Sequence, residues 1–282
     1  MTHTFSICAY QKSPYLERCI RSVINQSVPT KVILCTSTPN DLIQKLAQKY
    51  QIPLFIRQGK SDIQADWNYA WEQADTEYVT ITHQDDMYHK DYAKEMLNAL
   101  NKHPDTILAM TDYKIINEYG KARGDISLLI KQILKLPLKV PALSDKRWTK
   151  TGVQALGNAI CCPSVCYNKM RIQSQRRLLE EIRNQKELSY PDGEGPVSLF
   201  QSDLKYALDW ETFYQLAHLN GRFTYVSKVL FYYRMHEGTT TKKCLMDNRK
   251  TEEEIKMFRK FWPEWVVRGI MKVYRLSYRS YE

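Results

Sequence analysis

The first 110 residues alternate short apolar runs with stretches of helical periodicity, and that alternation limits the fold more than any other feature of the chain. Phe5–Ala9 (FSICA), Lys31–Cys35 (KVILC), Leu54–Ile56, Tyr78–Thr82 (YVTIT) and Ile107–Met110 each read as a strand. Pro14 occupies the first turn of a helix that continues through Leu16, Cys19, Ile20 and Val23, the position at which proline's fixed φ suits a helix. Asn40 is placed to cap a second helix carrying Leu42, Ile43, Leu46 and Ala47. Two more helices are expected over 63–74 and 90–100. Strands separated by helices build βαβ units and a parallel sheet. Ligands of such sheets bind beyond the carboxyl ends of the strands. The turns to inspect are therefore Ala9-Tyr10-Gln11-Lys12, Thr36-Ser37-Thr38, Arg57-Gln58-Gly59 and His83-Gln84-Asp85-Asp86.

The second half is less regular. Residues 126–140 form an amphipathic basic stretch that Pro137 stops. Residues 186–202 read as a loop, Ala207–Leu219 as a helix, and Pro263 separates two C-terminal helices. With 43% hydrophobic and 26% charged residues, the 282-residue chain is of ordinary globular composition and long enough for a core without staples. A mean hydropathy of −0.51 and the lack of an uninterrupted apolar run argue against a spanning helix. Seven cysteines without a repeated CxxC fit a reduced chain. Met1–Thr4 carries no signal-like pattern, so a cytoplasmic location is expected.

The net charge of +10 favours an anionic partner. Residues 255–282 hold seven cations against two carboxylates, interleaved with Val266, Val267, Ile270 and Met271. That tail suits either an anionic bilayer, with the protein peripheral on the inner membrane face, or packing on the catalytic core. No nucleic-acid motif is present, so nucleic acid is not an expected partner.

Three constellations carry chemistry. His83-Gln84-Asp85-Asp86 follows an apolar strand; its carboxylates suit a divalent cation with phosphates, or simply cap the next helix. Asp209-Trp210-Glu211 opens a helix; a carboxylate there acts as a general base, or as an acid favoured by the helix dipole. In Tyr232–Thr241, Arg234 and His236 share a face of an extended segment, which suits phosphate and metal, or is a plain strand end.

Taken in order, FSICAYQKSPYLERCIRSVINQSV, ITHQDDMY, ALDWETFYQLA and YYRMHEGTT resemble the family 2 glycosyltransferases over about residues 3–240. The resemblance implies an α/β GT-A fold, Rossmann-like, with a mostly parallel central sheet flanked by helices and a helical C-terminal extension. It implies a catalytic domain at 1–240, with a nucleotide-sugar half (1–118) and an acceptor half (119–240), and a basic helical tail at 241–282. The implied activity is an inverting transfer from a nucleotide-diphosphate sugar, UDP- or dTDP-linked, to a hydroxyl of a lipid-linked or cell-surface glycan precursor, with Mn²⁺ or Mg²⁺. Asp209 becomes the catalytic base. The nucleotide sugar falls to Ala9, Tyr10, Lys12, Thr36, Ser37 and Asp66, with Asn68, Gln84, Asp85, Asn158 and Arg234. Trp210 and Glu211 face the acceptor, and Asp85 and His236 the metal.

The sequence departs from the family pattern in three places, one of them before the fourth strand, where Trp67 beside Asn68 replaces the family's arginine. His83 stands at the first acidic position of the metal motif, and Cys35-Thr36-Ser37-Thr38 stands where an acidic residue contacts the base. These departures leave a non-catalytic partner subunit as the alternative. A homo-oligomer is a further expected state.

Overall fold

In the computed structural model, residues 2–186, 198–236 and 249–278 are described. The expected strands appear as β1 (His3–Ala9), β2 (Lys31–Thr36), β3 (Leu54–Ile56), β4 (Tyr78–His83) and the start of β6 (Thr106–Ile116). The helices between them are α1 (Leu16–Ile24), α2 (Asp41–Lys49), α3 (Ile63–Gln73) and α4 (Tyr92–Lys102). Asn40 caps α2 as expected, its Oδ1 accepting from the N–H groups of Leu42 and Ile43. The sheet runs β3-β2-β1-β4-β8-β6-β9-β5. Its first four strands are parallel, β8 (Val165–Asn168) is antiparallel to β4 and β6, and β9 (Arg222–Arg234) is parallel to β6. Short β5 (Met87–Tyr88) closes the edge against the end of β9, and β7 (Ala122–Arg123) pairs with the end of β6.

Alternate residues of each strand feed opposite faces. Phe5 and Ile7 join Leu16 and Ile20 of α1 and Met96 of α4 on one side. Val79 and Ile81 join Trp71 of α3 and Phe213 of α9 (Leu208–Leu216) on the other. Covered on both faces, the sheet must expose its function at the strand ends.

Two C-terminal helices, Arg249–Phe258 and Glu264–Tyr278, flank Pro263. They pack on the core: Met257, Phe258, Val267 and Met271 form a third apolar cluster with Leu204, Ala207 and Trp210.

Part of the positive charge is structural. Lys169 donates to the carbonyls of Trp71 and Ala74, which end α3. Lys150 donates to the carbonyls of Leu219 and Gly221, and burial lowers its ammonium to about 8. Lys135, on α5 (Ile126–Lys135), pairs with Asp112 of β6 at 2.7 Å, deep in the protein. Among the described residues, no helix is long and apolar enough to cross a membrane.

Candidate functional site

The carboxyl ends of β1, β2 and β4 lie side by side, so the turns that follow them meet. Gln11 takes a left-handed backbone with φ 51°, and its N–H donates to Thr38 Oγ1 at 2.7 Å. Asn40 Nδ2 donates to the Gln11 carbonyl at 3.1 Å. Gln84 grips the same turn from the other side, accepting from Tyr10 N and donating to Tyr10 O, both at 2.9 Å. Three turns thereby form one stitched rim. The side chains of Tyr10 and Lys12 remain exposed on it, while Ala9 is buried.

Asp85 stands on this rim with a quarter of its side chain exposed. Its Oδ1 accepts from Ser13 Oγ at 2.8 Å, and its Oδ2 lies 3.2 Å from His236 Nε2. His236 reaches it because Arg234, at the end of β9, is anchored. The Arg234 N–H donates to Asp86 Oδ1, its Nε to the Asp85 carbonyl, and its Nη1 to the carbonyls of Asn117 and Glu118. Tyr15 covers both residues, its ring 4.7 Å from the guanidinium and 4.8 Å from the imidazole. Asp86 is buried, and burial pushes its carboxyl well above the usual range. Burial also lowers His83 to about 4, so this imidazole is neutral at pH 7 and stacks on Trp67 with ring centres 4.6 Å apart. A carboxylate beside an imidazole, both partly open, offers one oxygen and one nitrogen donor, a set closer to the preferences of Mn²⁺ than to those of oxygen-seeking Mg²⁺. Among the described residues, no group of three acidic, histidine or cysteine ligands occurs. Asp85 and His236 would offer two protein positions to a cation carried by a diphosphate.

The second carboxylate opens α9. Asp209 Oδ2 accepts from Asn158 Nδ2 at 3.0 Å and Oδ1 from the Trp210 N–H at 2.8 Å. Burial raises its carboxyl to about 6, against the opposing pull of these donors. A carboxylate tuned towards neutrality and held in one orientation is equipped to take a proton. Burial, with the Asp86 and Asp209 carboxylates nearby, pushes the Cys161 thiol up, so it is uncharged.

The C-terminal helices hold the Asn158–Asp209 pair from outside. The buried Glu253 carboxylate accepts from the N–H groups of Lys205, Tyr206 and Ala207, the residues that lead into α9. Trp262 Nε1 donates to Ala155 O at 2.6 Å and Tyr274 Oη to Leu156 O at 2.8 Å, just before Asn158. Gly157 permits this approach: its φ is +128°, and a Cβ there would lie 2.0 Å from Tyr274 Oη.

Several residues expected to touch ligands are committed to protein partners instead. Arg234 is 1% exposed, its guanidinium spent on loop carbonyls rather than phosphate. Asp66 accepts from Arg57 Nε, Ser37 Oγ and Ser61 Oγ, a knot that also occupies Ser37. Thr36 is buried, its hydroxyl accepting from the Thr38 N–H. Asn68 makes paired bonds to the backbone of Phe200, and Gln84 to that of Tyr10. On the acceptor side, Trp210 is 3% exposed against Phe258 and Phe261, and Glu211 pairs with Lys260 at 2.6 Å. Of the expected site residues, Tyr10 and Lys12 are exposed, and Ser37, Asp66, Gln84, Asp85, Asn158, Asp209 and His236 are half-buried. Ser13, Tyr15, Trp67 and Glu253 are the site's unforeseen members. Ser13 and Tyr15 had a signal in their place just after β1. Glu253 had none, because its partners lie more than 40 residues away.

The model of the family described as Glycosyl transferase family 2 matches residues 4–160. No curated protein matches the chain. The fold is similar to that of S. aureus TarS 1-349 in complex with UDP-GlcNAc, with a TM-score of 0.58 and 18% identity, covering 93% of this chain and 71% of that one. It is also similar to the mannosyltransferase PcManGT from Pyrobaculum calidifontis in complex with GDP-Man and Mn²⁺, with a TM-score of 0.58 and 14% identity, covering 92% and 63%. The family match takes in β1 through the Asn158 loop, the stretch that builds both the parallel sheet and its stitched rim. The chain belongs to glycosyl transferase family 2 and carries a GT-A fold.

Proposed function

We propose that this protein is an inverting transferase that moves a sugar from a nucleoside-diphosphate donor onto an acceptor hydroxyl. One observation carries the reading: two carboxylates of unlike environment flank the strand ends. Asp85 is a quarter exposed beside His236, whereas desolvation raises half-buried Asp209 to about 6 and Asn158 orients it. Groups so differentiated divide labour between charge neutralisation and proton transfer.

On the donor side, Tyr10 and Lys12 stand where a nucleotide lies across the rim, and Lys12 is a cation for phosphate. Asp85 and His236 would hold a divalent metal, which would supply charge neutralisation for the departing diphosphate. On the acceptor side, Asp209 accepts the hydroxyl proton as the acceptor oxygen bonds to the anomeric carbon and the sugar–phosphate bond breaks. This single displacement inverts the anomeric centre. Asn158 keeps Asp209 in one orientation, so little motion is required at the moment of reaction. The similar folds whose complexes contain UDP-GlcNAc and GDP-Man support a nucleotide-sugar donor. The acceptor is a lipid-linked or cell-surface glycan precursor, met by a protein held peripherally at the cytoplasmic membrane face.

A thermal-shift panel of UDP-, dTDP- and GDP-sugars, with and without Mn²⁺ or Mg²⁺, tests the donor site. A ligand bound only by the folded state, at a hundred times its Kd, adds about 2.7 kcal/mol. The expected result is a metal-dependent rise in Tm with one donor that Asp85→Asn removes. No rise with any donor would favour a non-catalytic partner subunit.

A further inference from the structure

The sequence contains two amphipathic basic segments, and the structure treats them oppositely. The helix Glu264–Tyr278 turns Val267 and Met271 onto Trp210, so its apolar side is used in packing. In α5 the pattern is inverted. Lys131 points inward to the Tyr113 hydroxyl at 3.0 Å, and Lys135 to Asp112. The apolar side chains face out: Ile126 is 81% exposed, and Leu129, Ile130, Ile133, Leu136 and Val140 are each about half exposed. Ile126, Leu129, Ile130 and Ile133 follow the i, i+3, i+4, i+7 spacing of a single helix face. Trp148, 65% exposed, lies on α7 (Arg147–Gly152), which packs on the turn Leu136–Lys139.

A contiguous exposed apolar strip of this kind marks a contact surface. The charges around it select the partner. Lys121 and Arg123 precede the strip, and Lys139, Lys146 and Arg147 follow it, all exposed. The carboxylates inside the segment are Asp125, which caps α5 at the Ser127 N–H, and Asp145, beside Lys146. Apolar side chains with a tryptophan, bordered by cations, match the interface of an anionic bilayer, where rings and aliphatic chains enter and lysines meet headgroups.

We infer that the outer face of α5, continued through Val140 and Trp148, docks the protein on an anionic lipid surface. On the inner face of the same helix, Lys131 donates to the Tyr113 hydroxyl at 3.0 Å, and its charge works against the burial that raises Asp209. Docking through α5 therefore holds the proposed base next to the bilayer, where a lipid-linked hydroxyl is presented. This inference rests on the reading of Asp209 as the acceptor-side base only for that consequence; the docking face stands on exposure and charge.

The test is flotation of the full chain with phosphatidylcholine vesicles, with and without phosphatidylglycerol. Wild type should float with the anionic vesicles and release as salt is raised. Ile130→Ser/Ile133→Ser should lower partitioning at least about tenfold. Its Tm and donor-induced thermal shift should stay unchanged, since both side chains are exposed. Lys139→Ala/Arg147→Ala should weaken binding to anionic vesicles only. Trp265→Ser, on the C-terminal helix, should leave binding intact. Wild type that stays soluble with anionic vesicles would overturn the inference. So would equal flotation of the double serine variant, or loss of binding confined to Trp265→Ser. A wild-type dimer that the serine variant converts to monomer, without flotation, would assign the strip to self-association instead. Donor shift and flotation are separate readouts, so a failed docking face leaves the transferase reading standing, and the reverse.

Discussion

The donor rim and the acceptor-side pair are built in different ways. The rim is held by neutral hydrogen bonds among turns of one sheet edge: Gln84 to Tyr10, Thr38 to Gln11, Asn40 to Gln11. Each such bond contributes about 1 kcal/mol, and no one of them is decisive. The Asn158–Asp209 pair depends on charged and aromatic groups from distant sequence: Glu253 at the start of α9, Trp262 and Tyr274 at the Asn158 loop, Lys260 on Glu211. On the proposed reading, nucleotide binding survives damage that abolishes transfer. The C-terminal helices act as a brace around the proposed base.

Removing residues 249–282 should break this contrast most severely. It uncovers Trp210, Leu204 and Ala207 and strips the carboxylate from the N–H groups before α9. Burial of each large apolar side chain is worth about 2 kcal/mol, so a marked fall in Tm with loss of transfer is expected. Unchanged transfer in the truncated chain would remove the brace from the account. Next in size is Lys135→Met, which leaves Asp112 buried beside Tyr225 without its cation. Breaking a buried pair from one side costs about 3–5 kcal/mol, measured as a lower urea midpoint. Glu253→Gln retains the shape and removes the charge. A loss of about 1–2 kcal/mol should accompany a lower kcat, with the donor-induced thermal shift intact. Gln84→Ala should do the reverse, weakening donor affinity with a stability cost of about 1 kcal/mol.

The same sequence that spelled out one region concealed the other. Strands β1 to β4 and helices α1 to α4 were legible because apolar spacing alone sets them, and Asn40 announced its cap. β9 was legible only at its end, where Arg234 was placed on an extended segment: the 13-residue strand Arg222–Arg234 is buried only in parts and shifts register three times along β6. Lys135, Lys150 and Lys169 count towards the net charge that favours an anionic partner, yet each is buried on carbonyls or a carboxylate. Chain-distant partners decide such placements, and local pattern carries no trace of them. Asp85 and Asp209 were singled out from local signals, a strand end and a helix start, and the structure puts them just past the end of β4 and in the first turn of α9. Arg234 and Trp210 were found as motif members, but their partners turn them inward, one to loop carbonyls and the other to Phe258.

The pH dependence sharpens the comparison with the smallest perturbation. Burial raises Asp209 to about 6, above the ordinary carboxylate value of about 4. The folded state therefore holds this proton more tightly than the unfolded chain. Its contribution disfavours folding increasingly as pH rises from about 4 to about 6, and is constant above that. Asp209→Asn should thus raise Tm near neutral pH and lose that advantage in acid. Transfer needs the ionised carboxylate, so the rate should fall about tenfold per unit once pH drops below about 6. A rate flat through that range would place the proton elsewhere.

The most direct measurement is sugar transfer by Asp209→Asn, with donor binding followed in the same preparation. The side chain keeps its shape and its partners Asn158 and Trp210 remain in reach, so folding and the donor-induced thermal shift should be preserved. Removing a general base costs about 10²–10⁴-fold, and transfer should fall by that amount. Transfer at the wild-type rate, with donor still bound, would contradict the assignment of Asp209 as the base.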